Sequence, residues 1–203
     1  MNPESIVCIE RRLGYIFKDK SVLIRALTRK AFAQECKQQG RSCEDQELYR
    51  ILGDAVLKAI LVEMLIEYGY NSRETITNKK IELEKRESLS TKLREMQISQ
   101  FIRLGVGEKK QNILIQSSVL GETFEALIAA IHIDGGSYEA TKKIVVGLFQ
   151  DQAPKTVSKG PPNVSELSAG SEVGAYYDSC DTCFQADLCD TMKVCYFDIT
   201  GQD

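Results

Sequence analysis

Two apolar stretches carry acids at spacings that could do chemistry. ELYRILGDAVLKAILVEML holds Glu47, Arg50 and Asp54, and GETFEALIAAI holds Glu122 and Glu125. On a helix Glu47 and Asp54, seven residues apart, lie ~20° from eclipsed, and Glu122 and Glu125, three apart, share a face. Phe124, Leu127, Ile128 and Ile131 interleave with the second pair, so at least one of its acids belongs near a packing boundary. A carboxylate there must have its desolvation offset by a basic side chain or a cation. Oxygen donors with no cysteine or histidine beside them would select Mg²⁺ or Mn²⁺ over zinc. Spacing alone leaves two readings open, a divalent-cation site and ordinary surface charge, the second being the commoner arrangement. Arg50 adds a question, because its i,i+4 spacing puts it ~40° from Asp54 on the same face.

The elements that must position these residues read as helices. Val22, Leu23, Ala26 and Leu27 recur at helical spacing after YIFKDKS, and a long helix begins near Asp45 and closes at Gly69. NSRETITNKKIELEKRESLSTKLREMQ supplies at least one more helix, with Ser88 as its expected cap. Its alternating charges, Lys79, Lys80, Lys85, Arg86, Lys92 and Arg94 against Glu82, Glu84, Glu87 and Glu95, read as a solvated face, with RNA-phosphate contact the other possibility. GVGEKK fits no phosphate loop and reads as a surface loop. Ser117 and Ser118 read as caps of an apolar helix ending at Gly135 and Gly136, and Ser137 as the cap of a last helix through Phe149. No stretch alternates as a strand does, so the body is expected to be all-α.

Composition bounds the function. The 203 residues suffice for one sizeable core plus an appendage, taken as a domain over 1–150 and a linker and tail over 151–203. Of the 26 Lys and Arg, 23 lie in residues 1–150, as do 20 of the 29 Asp and Glu, which leaves that part at +3 and the tail at −6. A body so mildly basic is compatible with nucleic acid without demanding it. The opening segment is charged and no run is apolar enough to span a bilayer, so an intracellular, chiefly cytoplasmic protein without a membrane partner is expected. The single histidine, His132, rules out histidine-based triads and multi-histidine zinc sites, and its place among apolar residues suits a core or interface position. In the acidic tail, Cys180, Cys183, Cys189 and Cys195 could form a weak metal cluster, although their spacing is shorter than in a typical zinc ribbon.

IERRLGYIFKDKSVLIRALTRKAF, ELYRILGDAVL and SSVLGETFEALIAAIHIDGG, in this order and at these separations, resemble the endonuclease domain of the ribonuclease III family over roughly residues 6–149. The resemblance implies an all-helical domain that dimerises, as a homodimer or a heterodimer, and a double-stranded or structured RNA substrate lying between acidic, Mg²⁺- or Mn²⁺-dependent sites. In such sites a metal-bound water attacks the phosphodiester bond. Matched position by position, Asp54, Glu122 and Glu125 fall on metal-ligand positions, Glu122 being one methylene longer than the family's aspartate. Glu47 falls on a more peripheral acid of the catalytic set, and Ile51 on an aromatic position at the dimer contact. Arg50 replaces a ligand glutamate, a reversal of charge. Two unit charges ~4 Å apart interact by about 4 kcal/mol at an effective dielectric of ~20, so Arg50 should pair with Asp54, Glu122 or Glu125 and compete with metal. No basic RNA-binding domain is recognisable in the tail. The resemblance therefore implies a ribonuclease III-like endoribonuclease or, where Arg50 has cost it the metal, a catalytically reduced relative that binds structured RNA or supports a partner subunit. The acidic tail alone suggests a scaffold that no longer meets RNA.

Overall fold

The computed structural model describes residues 1–150. Nine α-helices and two short 3-10 turns occupy them: α1 (Pro3–Leu13), α2 (Lys20–Ala26), α3 (Lys30–Gln38), α4 (Glu47–Glu67), α5 (Arg73–Glu84), α6 (Arg86–Glu95), α7 (Val106–Lys110), α8 (Ser117–Gly135) and α9 (Tyr138–Leu148). Among the described residues there is no strand, only an isolated parallel bridge between Thr28 and Arg103, and no helix is long and apolar enough to cross a membrane.

The centre is the pair α4 and α8. Helix α8 is buried almost all round, through Leu120, Phe124, Leu127, Ile128 and Ile131 and the small residues Ala126, Ala129 and Ala130. Small side chains let a neighbouring helix approach closely, and on α4 that neighbour presents Leu57, Ile60, Leu61, Met64 and Leu65. Each such side chain taken fully from water contributes about 1.5–3 kcal/mol, so the paired stripes dominate the cohesion of the fold. The closest approach is at Gly53, where an added Cβ would lie 1.7 Å from the carbonyl oxygen of Glu125. Glycine in a helix interior costs about 1 kcal/mol against alanine; here it lets one backbone rest on the other.

Helix ends follow local chemistry with some departures from expectation. Gly69 and Gly136 take left-handed backbone, with φ of 88° and 68°, where the long helices stop, and the Ser137 hydroxyl accepts from the amide of Ala140. The charged segment after Gly69, expected to supply at least one helix, forms two. Ser72 caps the first, accepting from Thr75 N, whereas Ser88 lies inside α6, whose N-cap is Lys85 without a side-chain bond. Ser117 likewise falls inside its helix, after Gln116, and its hydroxyl donates to Glu87. GVGEKK is a helical turn rather than a loop, because Glu108 turns back to accept from the amide of Gly105. Long-range bonds also fix the chain's entry. The Asp134 carboxylate at the end of α8 accepts from Tyr15 Oη (2.7 Å), Lys18 N (2.9 Å) and Asp19 N (2.8 Å), pinning the turn between α1 and α2.

Candidate functional site

The five charged residues gather where α4 crosses α8. Gly53 sets Asp54 of α4 next to Glu125 of α8, and Glu122 stands one turn earlier on α8 facing Arg50. The arginine does not pair with Asp54. Its Nη1 donates to Glu47 Oε1 at 2.9 Å, and its Nη2 forms an ion pair with Glu122 Oε1 at 2.8 Å. Helical side chains lean toward the N-terminus of their helix, so Arg50 reaches back to Glu47, and Lys58 reaches back to Asp54 at 2.8 Å by the same rule. Arg50 Nε is buried and, among the described residues, has no hydrogen-bond partner.

A second guanidinium, unforeseen from sequence, completes the Glu122 side. Arg29 precedes α3 and donates through Nη1 to Glu122 Oε2 at 2.9 Å and through Nε to Glu108 Oε1 of α7 at 3.1 Å. The buried Gln46 amide donates to the Ala26 carbonyl and accepts from Arg29 Nη1 in the orientation that satisfies both groups. Arg29 and Glu122 are only 16% and 17% exposed, so these bonds are largely out of water. Both oxygens of Glu122 are therefore occupied by guanidinium. Glu47 is held by Arg50 and, at 3.9 Å, by Lys30.

Glu125 has a different environment. It is half-buried, and its pKa is pushed up to about 7 by burial first and then by the negative charge of Asp54, with Arg50 and Lys58 opposing. Hydrogen bonding contributes nothing to hold it ionised. The Lys58 ammonium is held above its usual pKa, chiefly by its bond to Asp54.

Donor chemistry decides which acids suit a divalent cation. Of the hard oxygen ligands Asp54 and Glu125, among the described residues, Asp54 is ion-paired to Lys58 and Glu125 to none, although the Arg50 charge acts on it from nearby, and a cation of the Mg²⁺ or Mn²⁺ type fits that pair. The full acid set does not fit, because Glu122 and Glu47 are spent on guanidinium and ammonium groups. Among the described residues no three histidine, cysteine, aspartate or glutamate side chains are grouped to hold a metal ion. Cys180, Cys183, Cys189 and Cys195 lie outside the described residues. Ile51, at the expected dimer contact, is 72% exposed on α4 beside Leu48 at 64%. His132 is half-buried, its Nδ1 3.3 Å from Thr141 Oγ1 between α8 and α9, a packing position.

Known proteins match this architecture and its motifs. A family model described as ribonuclease-III-like matches residues 19–152. Ribonuclease 3 of Pseudomonas aeruginosa PAO1 is 33% identical over 157 residues, covering 75% of this chain and 65% of that protein. Ribonuclease 3 of Caldanaerobacter subterraneus is 33% identical over 144 residues, covering 70% and 61%. The crystal structure of the nuclease domain of ribonuclease III from Campylobacter jejuni superposes with a TM-score of 0.64 at 29% identity, covering 76% of this chain and 97% of that one. A second structure of that domain, described for flexibility in a region involved in dimer formation, gives a TM-score of 0.63 at 28% identity. The fold and the match define a nuclease domain: the chain belongs to the ribonuclease III family. It spans a little under two thirds of the length of the curated relatives it matches.

Proposed function

We propose that this chain is an endoribonuclease of the ribonuclease III type that hydrolyses phosphodiester bonds in double-stranded RNA with the help of Mg²⁺ or Mn²⁺. The observation that carries the reading is the Gly53 contact, which sets two neighbouring carboxylates, Asp54 and Glu125, on opposite sides of a helix crossing. Asp54 and Glu125 would hold the cation, which supplies activation of water and neutralisation of charge at phosphate. Glu125, its pKa raised to about 7 chiefly by burial, would give up its proton as it binds the ion, whose charge replaces the proton in the desolvated site. Lys58 limits the negative charge on Asp54 and fixes its side-chain rotamer. Arg50 and Arg29 hold Glu122 and Glu47 at the margin of the site and neutralise them, so that these two acids would not repel an approaching RNA phosphate. Dimerisation through the exposed face of α4, with Leu48 and Ile51 at its centre, would place two such sites in one particle, with two copies of this chain as the assembly. Three free thiols among the described residues, Cys8, Cys36 and Cys43, suit a reducing cytoplasm.

Cleavage of a long RNA duplex by the purified chain, with Mg²⁺ or Mn²⁺ added, tests this directly. The wild type is expected to cut and Asp54→Asn to be inert. A wild type that is inert while Arg50→Glu cuts would assign the natural chain to the catalytically reduced class, and duplex binding in EDTA would then show whether RNA recognition survives.

A further inference from the structure

The charged groups around the helix crossing fall into two sets with different balances. On the Glu122 side three cations, Arg29, Arg50 and Lys30, face three carboxylates, Glu47, Glu108 and Glu122, through bonds or ion pairs between 2.8 and 3.9 Å. That set is neutral and closed on itself. On the Glu125 side, among the described residues, Asp54 is ion-paired to Lys58, while Glu125 has no ion-pair partner and feels the Arg50 charge only from a distance. Only this set still calls for positive charge.

We infer that the chain holds one divalent cation, on Asp54 and Glu125, and that Arg50 and Arg29 permanently take the charge-balancing place of a second ion by closing both oxygens of Glu122. The inference rests on the assignment of Asp54 and Glu125 as metal ligands in the proposed function. Three geometric facts support it. Each Glu122 oxygen has its own guanidinium partner, Arg50 in an ion pair at 2.8 Å and Arg29 as a hydrogen-bond donor at 2.9 Å, so neither charge is left unpaired. Arg29 is anchored independently, by Glu108 and by the buried Gln46, and cannot leave Glu122 without breaking those bonds. Arg50 bridges two carboxylates, hydrogen-bonded to Glu47 and ion-paired to Glu122, so a second metal would have to displace a cation already held at two points. Arg50 and Arg29 are positioning residues here: they act on the metal through Glu122 and Glu47.

The test is a titration of the metal-free full chain with Mn²⁺, reading free Mn²⁺ by electron paramagnetic resonance. The wild type is expected to bind one Mn²⁺ per chain. Asp54→Asn should weaken that binding by about tenfold or more. Arg50→Glu should admit a second Mn²⁺ and tighten the first by about tenfold, since it exchanges a repelling charge for an attracting one. Circular dichroism checks that Arg50→Glu folds; if it does not, Arg50→Gln, which adds no charge, should still tighten the first Mn²⁺ by about threefold. Two ions on the wild type, none on the wild type, or an unchanged isotherm in a folded Arg50 variant would each overturn the inference. Duplex cleavage in parallel separates the two claims. A chain that binds one Mn²⁺ without cutting defeats the proposed activity alone, and one that cuts with two bound ions defeats the one-ion centre alone.

Discussion

Helix α8 carries Glu125 midway along its buried span and Asp134 near its C-terminal end, and the two have opposite chemistry. Asp134 is met by three donors, two backbone amides and the Tyr15 hydroxyl. Burial pushes its pKa up, but those bonds outweigh it and hold the group below its ordinary value. Glu125 is buried further and has the negative charge of Asp54 for a neighbour, and its pKa rises to about 7. A carboxylate that is saturated with donors holds structure together. One that is desolvated and left without donors destabilises the fold and is available to a cation. The same helix thus anchors the domain at its C-terminal end and exposes an unsatisfied charge nearer its start.

Changes that attack this contrast should differ in size. The largest effect is expected from Gly53→Ala, whose methyl would lie 1.7 Å from the Glu125 carbonyl oxygen and force α4 off α8. A loss of more than about 3 kcal/mol in urea-induced unfolding is anticipated, with cleavage lost as well; wild-type stability in this variant would mean that the close helix approach is not as described. Next comes Glu125→Gln, which should lower duplex cleavage by about 100-fold or more while leaving the chain as stable as wild type or more so. Coupled losses of activity and stability would make Glu125 a structural residue like Asp134.

Asp134→Ala should do the reverse, costing roughly 1–2 kcal/mol and leaving RNA cleavage intact below its melting transition. A further test is pH dependence, whose sign distinguishes the two acids. Folded Glu125 keeps a proton that the unfolded chain has released, so rising pH should erode stability between 4.5 and about 7, and Glu125→Gln should flatten that slope. Asp134, with its pKa lowered, contributes stability that is present above the ordinary aspartate value of 3.8 and is lost as pH falls below it. Urea midpoints measured across both windows would check the two signs.

Much of this was legible in the sequence. Helical spacing marked α4 and α8, Gly69 and Gly136 marked their ends, and Ser137 marked the cap of α9, because those signals are local and each depends on a few adjacent residues. The competition between Arg50 and the acids followed from charge alone. So did Glu122, one of its three candidate partners, whereas Glu47 did not, since that contact turns on the direction in which helical side chains lean. Arg29 was invisible for a different reason. It acts on a glutamate 93 residues away, and nothing around ALTRK distinguishes it from an ordinary surface arginine. Ser88 misled because a serine before leucines resembles a cap wherever a break in the helix falls, and the break fell three residues earlier, at Lys85. GVGEKK misled because the bond from the Gly105 amide to Glu108 that makes it a helical turn is a matter of geometry rather than composition.

The most direct test of the account is an anomalous diffraction map from crystals of the full chain grown with Mn²⁺. One Mn²⁺ peak is predicted, bounded by Asp54 and Glu125, with Arg50 and Arg29 still on Glu122. A peak in contact with Glu122, or two peaks with Arg50 turned away, would contradict it.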